Sequence, residues 1–147
     1  PSVLPDTSKS FSDNVANGYQ SLYSNTTGYS NVANGNLSLY SNTTGDFNVA
    51  NGNGSLAYNT TGDNNVAIGD QSLFSNTTGY KNVAIGTGAL RTIITGNSNT
   101  VIGNNSGGEL PSGVNNVTCL GSDTGWNTTS SAISLRRRGW ARDRGCR

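Results

Sequence analysis

The chain of 147 residues has no histidine, no methionine and only two cysteines, Cys119 and Cys146. Without histidine, the Ser–His and Cys–His pairs of nucleophilic hydrolases cannot form. Two cysteines close to the C-terminus are too few for a disulfide framework, and no His/Cys cluster has the spacing of a zinc site. The sequence therefore predicts a protein that is not an enzyme and that holds no cofactor or metal.

Long apolar runs are also absent, and apolar residues make up only 32% of the chain. No segment approaches the ~18 consecutive apolar residues of a membrane helix. The N-terminal segment has no basic stretch followed by an apolar one, so no signal peptide can be read. We therefore expect no membrane insertion.

The charges are few and unevenly distributed. Residues 1–135 carry three bases and seven acids, whereas residues 136–147 carry six arginines and one aspartate. The basic segment, which includes Trp140, could bind nucleic acid or an anionic surface. Its abrupt change in composition instead favours a disordered end, a cloning remnant or an out-of-frame terminus. Nucleic-acid binding is therefore not expected.

Glycine is abundant, with 20 residues, and much of it recurs in a tandem repeat of 17 residues. The repeating unit reads N-V-A-[N/I]-G-x-x-S-L-[Y/F]-S-N-T-T-G-x-x. Six copies cover residues 14–115, and a seventh, with one extra residue, begins at Asn116. We divide the chain into a linker or cap over residues 1–13, a repeat array over residues 14–121 and an irregular, Arg-rich tail over residues 122–147.

Each repeat predicts two short strands, N-V-A-I and S-L-Y-S, and each strand is followed by a turn that contains glycine. Two strands and two turns in 17 residues make one coil of an all-β solenoid, a parallel β-roll whose coils stack about 4.8 Å apart. Disordered low complexity is the alternative. It would not hold the same spacing through six copies without a gap.

One column of the repeat changes its chemistry half-way along the chain, from a polar amide to a branched hydrocarbon. Strand alternation places this column and Val15 on one face, and Ala16 on the other. We predict that it faces the interior with a column of leucines, and that its amides stack as a hydrogen-bonded ladder. The alternatives are a position near a trimer axis, around water, or exposure to solvent. The Asn/Ile column consists of Asn17, Asn34, Asn51, Ile68, Ile85 and Ile102, and the leucine column of Leu22, Leu39, Leu56, Leu73 and Leu90.

The stretch NVAIGDQSLFSNTTGYKNVAIGTGAL resembles the head repeats of trimeric autotransporter adhesins. It is also similar to the repeat arrays of phage tail-fibre and bacterial surface proteins. The resemblance covers about residues 14–121 and implies a left-handed β-roll that forms a homotrimer outside a cell, on its surface or on a virion. Two features depart from it: the repeat is longer than in adhesin heads, and the expected coiled-coil stalk or chaperone domain is absent.

This resemblance implies a structural or adhesive rod, the shaft or head of a surface adhesin or tail fibre, with an unidentified surface receptor or glycan as partner. End-to-end self-assembly into an extracellular filament is one alternative. Ice binding by stacked threonine columns is another, although adjacent threonines in an extended segment would face opposite ways. The N-T-T sequons at Asn25, Asn42, Asn59 and Asn76 are candidate glycosylation sites, but turn chemistry copied by duplication explains them as well.

Overall fold

The computed structural model describes residues 13–125, and it confirms an all-β solenoid. Seven three-residue strands form one parallel sheet in which each strand pairs with the next one along the chain. Each strand belongs to one coil, so the order of the strands in the sheet is the order of the repeats. The strands are β1 (Val15–Asn17), β2 (Val32–Asn34), β3 (Val49–Asn51), β4 (Val66–Ile68), β5 (Val83–Ile85), β6 (Thr100–Ile102) and β7 (Thr118–Leu120).

The strands keep the register of the sequence repeat. Val15 pairs with Val32 and Val32 with Val49, 17 residues apart, whereas Thr100 pairs with Thr118 across the extra residue. A turn over residues 111–114 absorbs this residue, and the seventh coil continues in register.

The repeat array is longer than predicted. Its last coil runs beyond the predicted boundary at 121, because the Gly107 N–H donates to the Thr124 carbonyl over 2.7 Å. The predicted cap over residues 1–13, except for Asp13, and the predicted tail from residue 126 onward lie outside the described residues. The left-handed sense of the coil stays a prediction.

Each coil has one strand, not two, so the prediction of a second strand is wrong. The leucines of the S-L-Y-S segment have φ between 48° and 52°, in the left-handed region rather than the extended one. The segment is a turn whose backbone still bonds from coil to coil; for example, the Leu39 N–H donates to the Ser55 carbonyl over 3.0 Å. The leucine in this segment is apolar because the turn is buried in the core, and not because the segment is a strand.

The core is a narrow column between the sheet and this turn. The leucine column lines one side of the core, and its members are fully buried except for Leu22 in the first coil, which is 8% exposed. Alanines of the strands, such as Ala33 and Ala50, line the other side and are also fully buried. The apolar part of the interior in coils two to four therefore consists mainly of one leucine and one small residue, beside buried serine and asparagine side chains.

Glycine at the corner after each strand allows the coils to approach closely. Gly52 has φ +146°, and a Cβ built on it would lie 2.4 Å from the Gly69 carbonyl oxygen in the next coil. No other residue fits this position without moving the backbone.

Candidate functional site

The outward side chains of β1–β7 form one surface, which we call the outer face. It consists of a valine column, continued by Thr100 and Thr118, and of the Asn/Ile column, continued by Leu120. In β2, Ala33 is fully buried whereas Val32 and Asn34 are exposed. The prediction that the valines and the Asn/Ile column face the interior is therefore wrong. The alternation is as predicted, but the narrow space opposite the leucines accepts the small alanine and not its larger neighbours.

The amide half of the outer face forms a ladder, as predicted, but the ladder faces outward. The Asn17 Nδ2 donates to the Asn34 Oδ1 over 3.3 Å, and the Asn34 Nδ2 donates to the Asn51 Oδ1 over 3.4 Å. These are long bonds on exposed side chains, so each contributes little to stability.

The hydrocarbon half of the outer face leaves aliphatic side chains at the surface. Ile68 and Ile102 are 38% and 40% exposed, and Leu120 in the last coil is 55% exposed. Val66 and Val83 lie beside them and are half-buried. Among residues 13–125, no charged side chain stands on this face, and it continues through four coils.

A buried amide ladder that we did not predict runs along the leading asparagine of each repeat. In Asn48, the backbone N–H and the Nδ2 both donate to the Asn31 Oδ1, over 2.9 and 3.1 Å, and the Nδ2 also donates to the Gly62 carbonyl over 2.8 Å. This pattern repeats down the column, where Val117 takes the place of asparagine in the seventh coil. The ladder consists of Asn14, Asn31, Asn48, Asn65, Asn82 and Asn99.

A second buried ladder is formed by the asparagines of the N-T-T-G turns. The Asn59 Nδ2 donates to the Asn42 Oδ1 over 2.8 Å and to the Gly62 carbonyl over 2.9 Å. After Asn76 the same column continues with Ile93 and then Leu110, both buried. The core therefore contains its own change from amide to hydrocarbon, in the column of the candidate sequons.

These contacts argue against glycans at the predicted sequons. Asn42, Asn59 and Asn76 are fully buried, and Asn25 in the first coil is half-buried with its Nδ2 bonded to the Gly28 carbonyl over 2.8 Å. A glycan would replace a hydrogen on an Nδ2 that the ladder already uses. The folded coil has no room for it there.

The two threonine columns have different environments. Hydroxyls of the first column donate to the carbonyl of the next coil, as Thr43 Oγ1 does to Thr60 over 2.9 Å. The second column is exposed in five consecutive coils. The threonines thus present one exposed file rather than a grid. That file consists of Thr27, Thr44, Thr61, Thr78 and Thr95.

Aromatic residues form separate pairs on the surface of the turns. The Tyr23 and Tyr40 rings stack with centroids 5.5 Å apart and planes inclined by 8°. Tyr58 meets Phe74 edge to face over 5.0 Å, since Ala57 interrupts the stack. The aromatic side chains therefore do not form one continuous surface.

Aspartate side chains in the turns accept hydrogen bonds from backbone N–H groups of the preceding coil. The Asp46 Oδ1 accepts the Tyr29 N–H over 2.9 Å, and the Asp63 Oδ1 accepts the Asp46 N–H over 2.8 Å. Within residues 13–125, no three His, Cys, Asp or Glu side chains are placed to hold a metal ion, and no helix could cross a membrane.

No protein-family model matches the chain, and no curated protein or solved structure is significantly similar to it.

Proposed function

We propose that the chain is a non-enzymatic, extracellular structural rod, a homotrimer that forms the shaft or head of a cell-surface adhesin or a phage tail fibre. The observation that carries this proposal is the outer face, where Ile68, Ile85, Ile102 and Leu120 stand in register outside the core. The resemblance of the repeat to trimeric adhesin heads supports the same assembly.

An aliphatic surface of this kind favours contact with another molecule. Burial of a Val, Leu or Ile side chain contributes roughly 1.5–3 kcal/mol relative to exposure. Contiguous apolar surface on a folded chain is typical of interaction sites, whereas scattered apolar residues are not. On this chain the half-buried Ile85 joins the exposed Ile68 and Ile102 into one contiguous surface, because coil stacking places each isoleucine directly beside the next.

The repetition of the outer face favours further copies of the same chain as partners. The face carries no charged side chain and repeats once in every coil, so copies placed around an axis parallel to the rod meet coil to coil at the same level. Such contacts close into a ring of identical subunits. In this arrangement the isoleucines of neighbouring copies pack against one another and exclude water. The ladder of Asn17, Asn34 and Asn51 lines a part of the interface that remains hydrated.

The experiment is the mass of the full chain in solution, measured by sedimentation equilibrium for the natural sequence and two variants. Ile85→Asp places a charge on the outer face, and Thr87→Asp places the same charge on an exposed position of the same coil, beyond the corner at Gly86. We expect a trimer that dissociates with Ile85→Asp and persists with Thr87→Asp. A monomeric natural chain contradicts the proposal, and filaments of mixed length favour end-to-end assembly.

Ice binding stays the alternative, because the exposed threonine file repeats at the spacing of the coils. One exposed column offers fewer ordered hydroxyls than two, because the hydroxyls of the neighbouring column, such as that of Thr43, donate to backbone carbonyls. The test is thermal hysteresis and inhibition of ice recrystallisation by the purified rod, with Thr61→Lys as the disrupted variant and Thr87→Lys as its control. Absence of activity at about millimolar protein removes this alternative.

A further inference from the structure

The Asn/Ile column changes its chemistry between two residues that are partners in the sheet. Asn51 in β3 pairs with Ile68 in β4, while the valine column beside them continues unchanged from Val49 to Val66. The strands β1–β3 present an asparagine in the Asn/Ile column, and the strands β4–β7 present an isoleucine or a leucine. The outer face therefore consists of amide coils, which contain β1–β3, and aliphatic coils, which contain β4–β7, with one boundary between them.

Hydrogen bonding within one chain does not explain this grouping. In the buried ladders an isoleucine between two asparagines would leave a core acceptor without a donor, which is costly. On the outer face the amides are exposed, and water can replace the 3.4 Å bond from Asn34 Nδ2 to Asn51 Oδ1. Asparagine and isoleucine could therefore alternate here with little effect on a single chain. The grouping gains a physical consequence only when a second surface covers the column.

We propose that the boundary between Asn51 and Ile68 sets the direction of assembly, so that the outer face accepts a second copy of the chain only in the parallel orientation. This inference rests on the proposed packing of the outer face against further copies, and it adds the feature that selects their direction. In parallel copies at the same coil level, amide coils lie beside amide coils and aliphatic coils beside aliphatic coils. The match holds for every coil of the face.

An antiparallel copy cannot match the whole face. If the two rods overlap along their full length, aliphatic coils of one chain cover amide coils of the other, and amides such as Asn34 lose their contact with water. If only the aliphatic coils overlap, the valines of the amide coils stay uncovered, including Val32, which is 37% exposed. Both antiparallel arrangements are therefore less favourable than the parallel one.

The amide coils are the main polar feature of the outer face. Among residues 13–125 the face carries no charged side chain, so ion pairs between copies do not orient them. Thr100 and Thr118 are its other polar residues, and threonine keeps a methyl group that can pack against hydrocarbon. A single polar position in an apolar seam specifies the register of coiled coils. By the same reasoning we expect the amide coils to disfavour antiparallel copies roughly tenfold or more.

The experiment identifies which coils of neighbouring copies touch. A diazirine-bearing aliphatic amino acid replaces Leu120, which lies in β7 and is 55% exposed. The assembled full chain is irradiated and covalent dimers are isolated. Digestion with trypsin and chymotrypsin, followed by mass spectrometry, then locates the linked residues of the partner. A parallel copy places residues 92–126 beside position 120, whereas an antiparallel copy places residues before 75 there.

The natural chain is compared with a triple variant that removes the boundary. For the natural chain we expect the links to end in residues 92–126. The triple variant carries Asn17→Ile, Asn34→Ile and Asn51→Ile, so its whole column is hydrocarbon and antiparallel copies can match along their full length. We expect the share of links that end before residue 75 to rise roughly tenfold in this variant. Circular dichroism verifies that the variant is folded.

A control variant makes the same chemical change outside the outer face. It combines Asn36→Ile with Asn53→Ile, in the exposed column that follows the corner glycines, and its links should stay in residues 92–126. Links of the natural chain that divide between the two ends of the rod would overturn the inference while assembly itself stands, even if the triple variant does not fold. A folded triple variant that keeps the natural pattern of links would overturn it as well. A natural chain that sediments as a monomer would instead contradict the proposed assembly, and the inference with it.

Discussion

Ile93 stands one coil after Asn76, at the place from which each earlier turn asparagine donates to the Oδ1 of its predecessor. The Oδ1 of Asn76 is buried and has no hydrogen-bond partner among the described residues. The ladder thus ends where the sequence turns from amide to hydrocarbon. Since every such ladder leaves one acceptor at its end, grouping the asparagines in one block keeps the number of unpartnered acceptors at one.

This relationship predicts different effects for two equal substitutions. Asn76→Ile moves the ladder end back by one coil and should change the free energy of unfolding by less than about 1 kcal/mol. Asn59→Ile interrupts the ladder, leaves the Asn42 Oδ1 without a donor and should destabilise by about 2–4 kcal/mol. Urea denaturation followed by circular dichroism measures both. Equal losses for the two variants would contradict the ladder.

The outward Asn/Ile column should behave differently, because its amides are exposed and their bonds are long. Asn34→Ile should change the free energy of unfolding by no more than about 0.5 kcal/mol. Adding Asn17→Ile and Asn51→Ile should give additive effects, measured by the same denaturation. A large loss for the single variant that the triple variant recovers would show a strongly coupled ladder instead.

Gly52 and Gly54 lie two residues apart, but replacing each with alanine should affect stability very differently. Gly52→Ala drives its Cβ against the Gly69 carbonyl, 2.4 Å away, and should lower stability by roughly 3 kcal/mol or more. Gly54→Ala has its nearest neighbour at 3.4 Å, and Leu37 and Gln71 adopt a similar positive φ at the same position of adjacent coils. It should cost less than about 1 kcal/mol. Thermal unfolding compares them, and similar melting temperatures would argue against close approach at the corner.

The buried sequons predict that N-glycosylation and folding exclude each other. A chain secreted by eukaryotic cells should acquire glycans before it folds and be retained. Changing Thr27, Thr44, Thr61 and Thr78 to Ala removes these sequons, keeps every asparagine of the ladder and should restore secretion. Secretion and mass spectrometry of the product are the measurements. A folded, secreted chain with a glycan on Asn59 would show that the column is accessible.

Much of this fold can be predicted from the sequence, because the repeat preserves it in every copy. The 17-residue spacing requires equivalent residues to stack, and the corner glycines mark the turns. Alternation also shows that Val32 and Asn34 share a face and that Ala33 lies on the other. It does not show which face is inside. That depends on the width of the interior, in which the large Leu39 leaves space only for a small residue such as Ala33.

The buried ladders were harder to predict for a related reason. Asparagine is common in turns, so Asn42 in an N-T-T-G stretch indicates a turn whether or not its side chain is buried. Ile93 and Leu110 in the same column do not identify the ladder either, because Ile68, Ile85 and Ile102 form an equivalent run of hydrocarbons on the outer face. The sequence offers the same pattern in both columns, and only the structure shows which of them is inside.

We propose that the outer face packs against further copies of the chain. The most direct test places a small diazirine-bearing aliphatic amino acid at position 85 or, as control, at position 87, and irradiates the assembled full chain. We predict covalent dimers and trimers joined through residues of the outer face for position 85, and monomers for position 87. Monomers alone from both positions would contradict the account.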